Sequence, residues 1–108
     1  MVEENNIIAL TEAVYYILLS LDEPMHGYGI MQNIEMLSHG RVKLAAGTLY
    51  GALSTLVERD WIRPVGEGGE RKKEYQITAI GRQVVLNEIG RLIELLENGS
   101  KIVKGWHQ

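Results

Sequence analysis

A mainly α fold with a small β-hairpin and a long C-terminal helix is predicted by three features of this 108-residue chain. From Ala46 onward Leu49, Ala52, Leu53, Leu56 and Val57 share one side of a helix, while Gly51, Ser54, Thr55 and Glu58 share the other, and the stretch runs straight into Trp61-Ile62. Two strand-like segments, Trp61 to Val65 and Lys72 to Ile77, flank Gly66-Glu67-Gly68-Gly69-Glu70, which is too rich in glycine and charge to be anything but a turn. Beyond them Val85, Ile89, Leu92 and Leu96 follow the 4-3-4 spacing of a helix that packs lengthwise on another helix.

The remaining elements follow in order. Thr11 is placed to cap a first helix with Glu12 in its first turn, and Ala13 to Leu21 is apolar on nearly every side, which predicts a central, buried helix. Pro24 ends the connection. A second helix is expected from about Gly27 to Leu37, with Tyr28, Met31, Ile34 and either Leu37 or Met36 inward and Ser38-His39-Gly40 as its stop. Val42-Lys43-Leu44 alternates as a short strand with Lys43 outward. In the hairpin, Ile62, Tyr75 and Ile77 should face the core, and Pro64, lacking a donor, puts its strand at an edge or distorts it there. Thr78 caps the last helix, and Asn98-Gly99-Ser100 separates it from a tail bearing Trp106. The order is helix, helix, strand, helix, strand, turn, strand, long helix, that of a winged helix-turn-helix with one helix added. We divide it into a winged unit over residues 1–78 and a dimerisation helix with its tail over residues 79–108.

Composition bounds the chemistry. With 45% apolar residues the chain suits one small domain that gains from a partner subunit. The absence of cysteine excludes disulfides, thiolate metal sites and cysteine nucleophiles. His26, His39 and His107 lack ligand spacing and carboxylate partners, so no metal or other cofactor is expected. No phosphate-cradling loop follows a strand and no catalytic constellation can be assembled, so the chain does not read as an enzyme. No signal or membrane-spanning stretch is evident, which makes the cytoplasm the expected location and a membrane an unexpected partner. Eleven basic against 14 acidic residues give a net charge of -3, but Arg71-Lys72-Lys73 concentrates positive charge in the middle of the chain.

His26-Gly27-Tyr28-Gly29-Ile30, Gly47-Thr48-Leu49-Tyr50 with Ala52-Leu53, Leu56 to Ile62, and Arg71 to Gly81 occur in an order and spacing by which the chain resembles the PadR family of bacterial transcriptional regulators over nearly its whole length. Gly51 stands where that family commonly has proline, and no aromatic residue lies between Ala79 and Asn98, where multidrug-responsive members stack flat ligands on a tryptophan. The resemblance implies a homodimeric repressor that sets two copies of the third helix in successive major grooves of a palindromic operator, the wings lying over the flanking backbone or minor groove.

Residue chemistry supplies candidate contacts to double-stranded DNA. Thr48 and Tyr50 flank the polar face near the start of the third helix, where hydroxyls and free N–H groups can hold a phosphate. Lys43, Arg71, Lys72 and Lys73 would neutralise others. Gly51, Ser54 and Thr55 are able to approach base edges, and none makes a bidentate base contact, which leaves much of the specificity to DNA shape. Tyr28 is either a phosphate contact or a core-edge tyrosine. The dimer interface is assigned to Leu10, Val14, Ile17, Val85, Ile89, Leu92, Ile93 and Leu96, and a small-molecule effector acting through that interface is a further expectation. The competing reading is a winged-helix module that binds proteins without binding DNA, which the acidic balance and the lack of Lys or Arg in the third helix before Arg59 would suit.

Overall fold

The computed structural model describes residues 8–66 and 73–106. Its elements are α1 (Glu12–Ser20), β1 (Met25–His26), α2 (Gly27–Leu37), α3 (Ala46–Glu58), β2 (Ile62–Val65), β3 (Glu74–Ile77) and α4 (Ala79–Val103). The strands form one antiparallel sheet in the order β1-β3-β2, with Ile62 opposite Ile77 and Met25 opposite Tyr75. Pro64 therefore lies on an edge strand, where its missing N–H costs no ladder bond.

Local chemistry sets the element ends. Thr11 accepts from Val14 N–H at the start of α1, and the Nδ1 atom of His26 accepts from Gly29 N–H at the start of α2. Helix α2 stops through His39 and Gly40 at positive φ, with Gly40 N–H reaching back to Glu35 C=O. Helix α3 stops in the same way: Asp60 takes φ 63° and Trp61 N–H bonds to Leu56 C=O.

Ile17, Leu18 and Leu21 of the α1 region, Ile30 and Ile34 of α2, Leu49, Leu53 and Leu56 of α3, and Ile62, Tyr75 and Ile77 of the sheet form a single core, closed by Val85 from α4. Hydrogen bonds tie the layers together. Ser20 donates to Tyr16 C=O and accepts from Asn33, joining α1 to α2, while Ile77 N–H bonds to Leu21 C=O and anchors the sheet. Thr78 Oγ1 lies 2.6 Å from Asp60 C=O and accepts from Gly81 N–H, so the end of α3, the wing and the start of α4 meet at one hydroxyl.

Four expectations are corrected. Val42-Lys43-Leu44 is not a strand; Val42 and Leu44 tuck against the core in an irregular segment, and Ser38 Oγ takes the Val42 N–H. The third strand is Met25–His26, which pairs with the free edge of β3. Tyr28 does not turn inward with Met31 and Ile34 but is 63% exposed, and Met36 and Leu37 are exposed as well. Helix α4 does not end at Asn98-Gly99-Ser100 but runs on to Val103, because one apolar stripe continues through it at Leu92, Leu96 and Val103.

Candidate nucleic-acid interface

Helix α3 turns Leu49, Leu53 and Leu56 into the core, and this fixes which residues it shows outside: Gly47, Thr48, Tyr50, Gly51, Ser54, Thr55 and Glu58 are all exposed. Side chains cap α1, α2 and α4, but Ala45 offers no side-chain acceptor to the start of α3. Leu49 N–H makes the first bond back into that helix, to Ala45 C=O, so the amides of Ala46, Gly47 and Thr48 remain for an outside acceptor. A Cβ added at Gly47 or Gly51 would meet nothing within 4 Å, so the chain's own packing does not require glycine at either position.

Around this helix end the predicted residues divide. Tyr50 and Tyr28 are exposed, and the Tyr50 ring lies across Gly27, where a Cβ would run into its hydroxyl and Cζ. The Tyr50 ring thereby links α3 to the first turn of α2. Lys43 is exposed in the segment that leads into α3, with its ammonium 3.9 Å from Glu35. Lys73 immediately precedes β3, with its ammonium 6.0 Å from the Tyr75 ring centre. Arg71 and Lys72 lie outside the described residues, as does His107. Thr55 Oγ1 donates to Gly51 C=O, so its hydroxyl proton is committed to the helix, and its side chain borders a groove shared with Trp61.

The assigned interface residues divide as well. Ile17 is fully buried and Val85 is 8% exposed, and both belong to the subunit's own core. Leu10, Val14 and Ile89 are half-buried against that core. Leu92, Ile93 and Leu96 are exposed, as are Leu86, Leu95, Ile102, Val103 and Trp106, which the heptad-like spacing did not single out.

Two ion pairs also escaped the sequence reading. Glu12 binds Arg41 at 2.7 Å, tying α1 to the segment ahead of α3, and this hydrogen bond holds the carboxyl below its ordinary range. Glu88 is 3% exposed in α4, grips Arg91 through both carboxylate oxygens at 2.9 and 2.7 Å, and also accepts from Leu10 N–H. Its pKa is lowered by the Arg91 hydrogen bonds against the opposing pull of burial. An acid followed three residues later by Arg is the only sequence signal of that pair, and such spacing is common on solvated helices.

Among the described residues no three His, Asp or Glu side chains converge on a point that could hold a metal ion, and no helix is long and apolar enough to cross a membrane.

Comparison with known proteins returns a family for this chain and relatives of the same fold. The model of the transcriptional regulator PadR-like family matches residues 14–87. The chain belongs to this family. PadR-like sequence thus runs from within α1 through the first turns of α4. A 37.1 kDa protein in transposon TN4556 of Streptomyces fradiae is 38% identical over 74 residues, which are 68% of this chain and 21% of that protein, so the chain spans about a fifth of this relative. A PadR-family regulator from Eggerthella lenta DSM 2243 superposes with a TM-score of 0.65 at 25% identity, covering 87% of this chain and 82% of that one. Another, from Clostridium difficile R20291, gives 0.63 at 19% identity over 88% of this chain and all of its own, a likeness of fold.

Proposed function

We propose that this PadR-like protein is a DNA-binding transcriptional repressor that acts as a homodimer on a palindromic operator. The observation that carries the reading is the outer face of α3. Its first amides have no side-chain cap, and Gly47 and Gly51 leave its surface bare with nothing in the fold to account for them. Glycine within a helix costs about 1 kcal/mol relative to alanine. A bare face suits the close approach of a DNA backbone or groove wall, and free amides at a helix start suit a phosphate. Thr48, Tyr50, Tyr28, Lys43 and the wing residues Arg71, Lys72 and Lys73 are the proposed phosphate contacts, with Gly51, Ser54 and Thr55 nearest the bases.

The dimer rests on α4. Its 25 residues extend about 37 Å at the usual rise per residue, but Gly81, Val85 and Glu88 are its buried residues. The stripe buried at Val85 continues outward through Leu92, Leu96 and Val103, which are 39%, 68% and 45% exposed. A radius of gyration of 16.3 Å, against about 13 Å for a compact domain of a hundred residues, fits a helix that projects from the body. A second copy, bringing the same stripe across a two-fold axis, would cover it.

The test is fluorescence anisotropy with the duplex upstream of this protein's own gene and a shuffled duplex, titrated at low and near-physiological salt. A repressor gives tight binding to the native duplex and a steep salt slope. Replacing Lys73 by alanine should weaken both duplexes alike and lower the slope by about 0.9. Binding that ignores salt, or no binding to either duplex, would sink this reading and favour the protein-interaction module that the net charge of -3 suits.

A further inference from the structure

Beside the C-terminal half of α3 lies a groove of about 310 Å³ that shares only Thr55 with the proposed DNA contacts. Its walls are apolar: Ile8 and Leu10 from the segment before α1, Val14 from α1, Leu56 from α3 and Trp61 from the start of the hairpin. Leu10 is held there from outside, because its N–H is bonded to the buried Glu88 carboxylate of α4. Arg59 is the charged residue of the lining, and its guanidinium carbon stands 5.1 Å from the centre of the Trp61 ring. Stacking of this kind fixes the plane of the guanidinium and leaves its N–H edges free to pair with a carboxylate.

The other polar side chains of the lining are already engaged. Thr55 Oγ1 donates to Gly51 C=O, and Thr11 Oγ1 accepts the capping bond from Val14 N–H. The groove thus combines an aliphatic body with one cationic end. Its volume falls at the lower limit of ligand pockets, which run from about 300 to 1,000 Å³. We propose that this groove is a binding site for a small aliphatic monocarboxylate, its chain against Leu10, Val14 and Leu56 and its carboxylate on Arg59. Thr55 belongs to α3 and Arg59 is the residue that caps its C-terminus, so occupancy bears directly on the helix assigned to DNA. That regulatory half rests on the DNA-binding reading, whereas the site itself does not.

The experiment titrates sodium octanoate into the full chain without DNA, followed by Trp61 fluorescence in a Trp106→Phe background and by calorimetry. Octanol serves as the uncharged ligand of the same body. The expected result is saturable binding of one octanoate per chain, at least tenfold tighter than octanol. Arg59→Gln should remove that preference, and Ala52→Leu, which fills the groove, should weaken both ligands, with thermal melts showing that each variant is folded. Equal affinity for octanoate and octanol, undiminished octanoate binding in Arg59→Gln, or no saturable binding at millimolar ligand overturns the site. So does Trp61 fluorescence that changes with protein concentration and ignores octanoate, since a second copy would then occupy the groove. With binding established, a threefold or larger change in duplex affinity at saturating octanoate supports the regulatory half, and an unchanged affinity refutes it.

Discussion

At the base of the wing, a Cβ on Gly81 would overlap the backbone carbonyl oxygen of Trp61 and press on Ile77 Cγ1 at 2.7 Å. On the outer face of α3, a Cβ on Gly47 or Gly51 would meet no atom within 4 Å. The two regions use the same residue for opposite ends. Gly81 lets the last helix start directly against the hairpin, where Thr78 also bonds, so the fold requires it. Gly51 sits mid-helix with open space around it, where alanine would be the more stable choice, so its reason lies outside the subunit. Gly27 stands between them: the atoms a Cβ would strike belong to the exposed Tyr50 ring and not to backbone.

The largest expected effect is at the wing base. Gly81→Ala has to move the Trp61 carbonyl or the start of α4, and overpacking against backbone costs about 3 kcal/mol, the upper end of the usual range. A domain of this size should then lose on the order of 15 °C in Tm. Calorimetry decides it, and a Tm within a few degrees of the parent would show that the contact between α4 and the hairpin is not tight.

The next effect belongs to the same buried side. Glu88→Gln leaves Arg91 without its charged partner and should cost about 1–3 kcal/mol at neutral pH. The carboxyl's pKa is depressed in the folded state, so the pair's contribution is complete above the ordinary carboxylate range and is lost as pH falls through the lower folded value. Urea melts of parent and variant should therefore differ at pH 7 and converge in strong acid. A constant difference at both pH values would mean that shape, and not charge, is what Glu88 contributes.

How far such distinctions can be read in a sequence depends on how local their causes are. The bounds of α2, the caps at Thr11 and Thr78 and the edge position of Pro64 were legible, because each follows from a residue's own backbone chemistry or from periodicity. Strand β1 was not: two residues carry no period, and Met25–His26 is a strand because β3 has an edge to pair with. Asn98-Gly99-Ser100 read as a stop, yet α4 passes through it, since propensity is a weak prior beside a continuing apolar stripe. At the candidate interface, exposure of Thr48, Tyr50, Gly51 and Ser54 was legible from the helix's apolar face. The meeting of Tyr50 with Gly27 and the closing of the core by Val85 depend on three-dimensional packing, and the local tie of Thr55 to Gly51 is one of several bonds its hydroxyl could have made.

Gly27→Ala probes the intermediate case. The Tyr50 ring is 50% exposed and can swing outward, so the stability cost should stay below about 1 kcal/mol. Affinity for the native duplex should nevertheless fall severalfold, because the tyrosine is displaced from the start of α3. Anisotropy and a thermal melt on the same preparation separate the two quantities. Large loss of stability with unchanged affinity would place Gly27 with Gly81 as a structural glycine and remove Tyr50 from the proposed contacts.

The smallest change in stability carries the sharpest argument. Gly51→Ala adds a methyl group to open space in a helical backbone, and alanine in place of a mid-helix glycine stabilises by about 0.5–1 kcal/mol. If the outer face of α3 were merely solvated, that gain would come without penalty, and larger residues with good helix propensity would do nearly as well. If DNA approaches the backbone there, alanine should raise Tm while weakening the native duplex, and Gly51→Leu should abolish specific binding with the fold intact. The two measurements must move in opposite directions. A variant that gains stability and keeps full affinity would show that the bare face is not where the nucleic acid lies, and the proposed contact surface would then contract to the tyrosines and the wing.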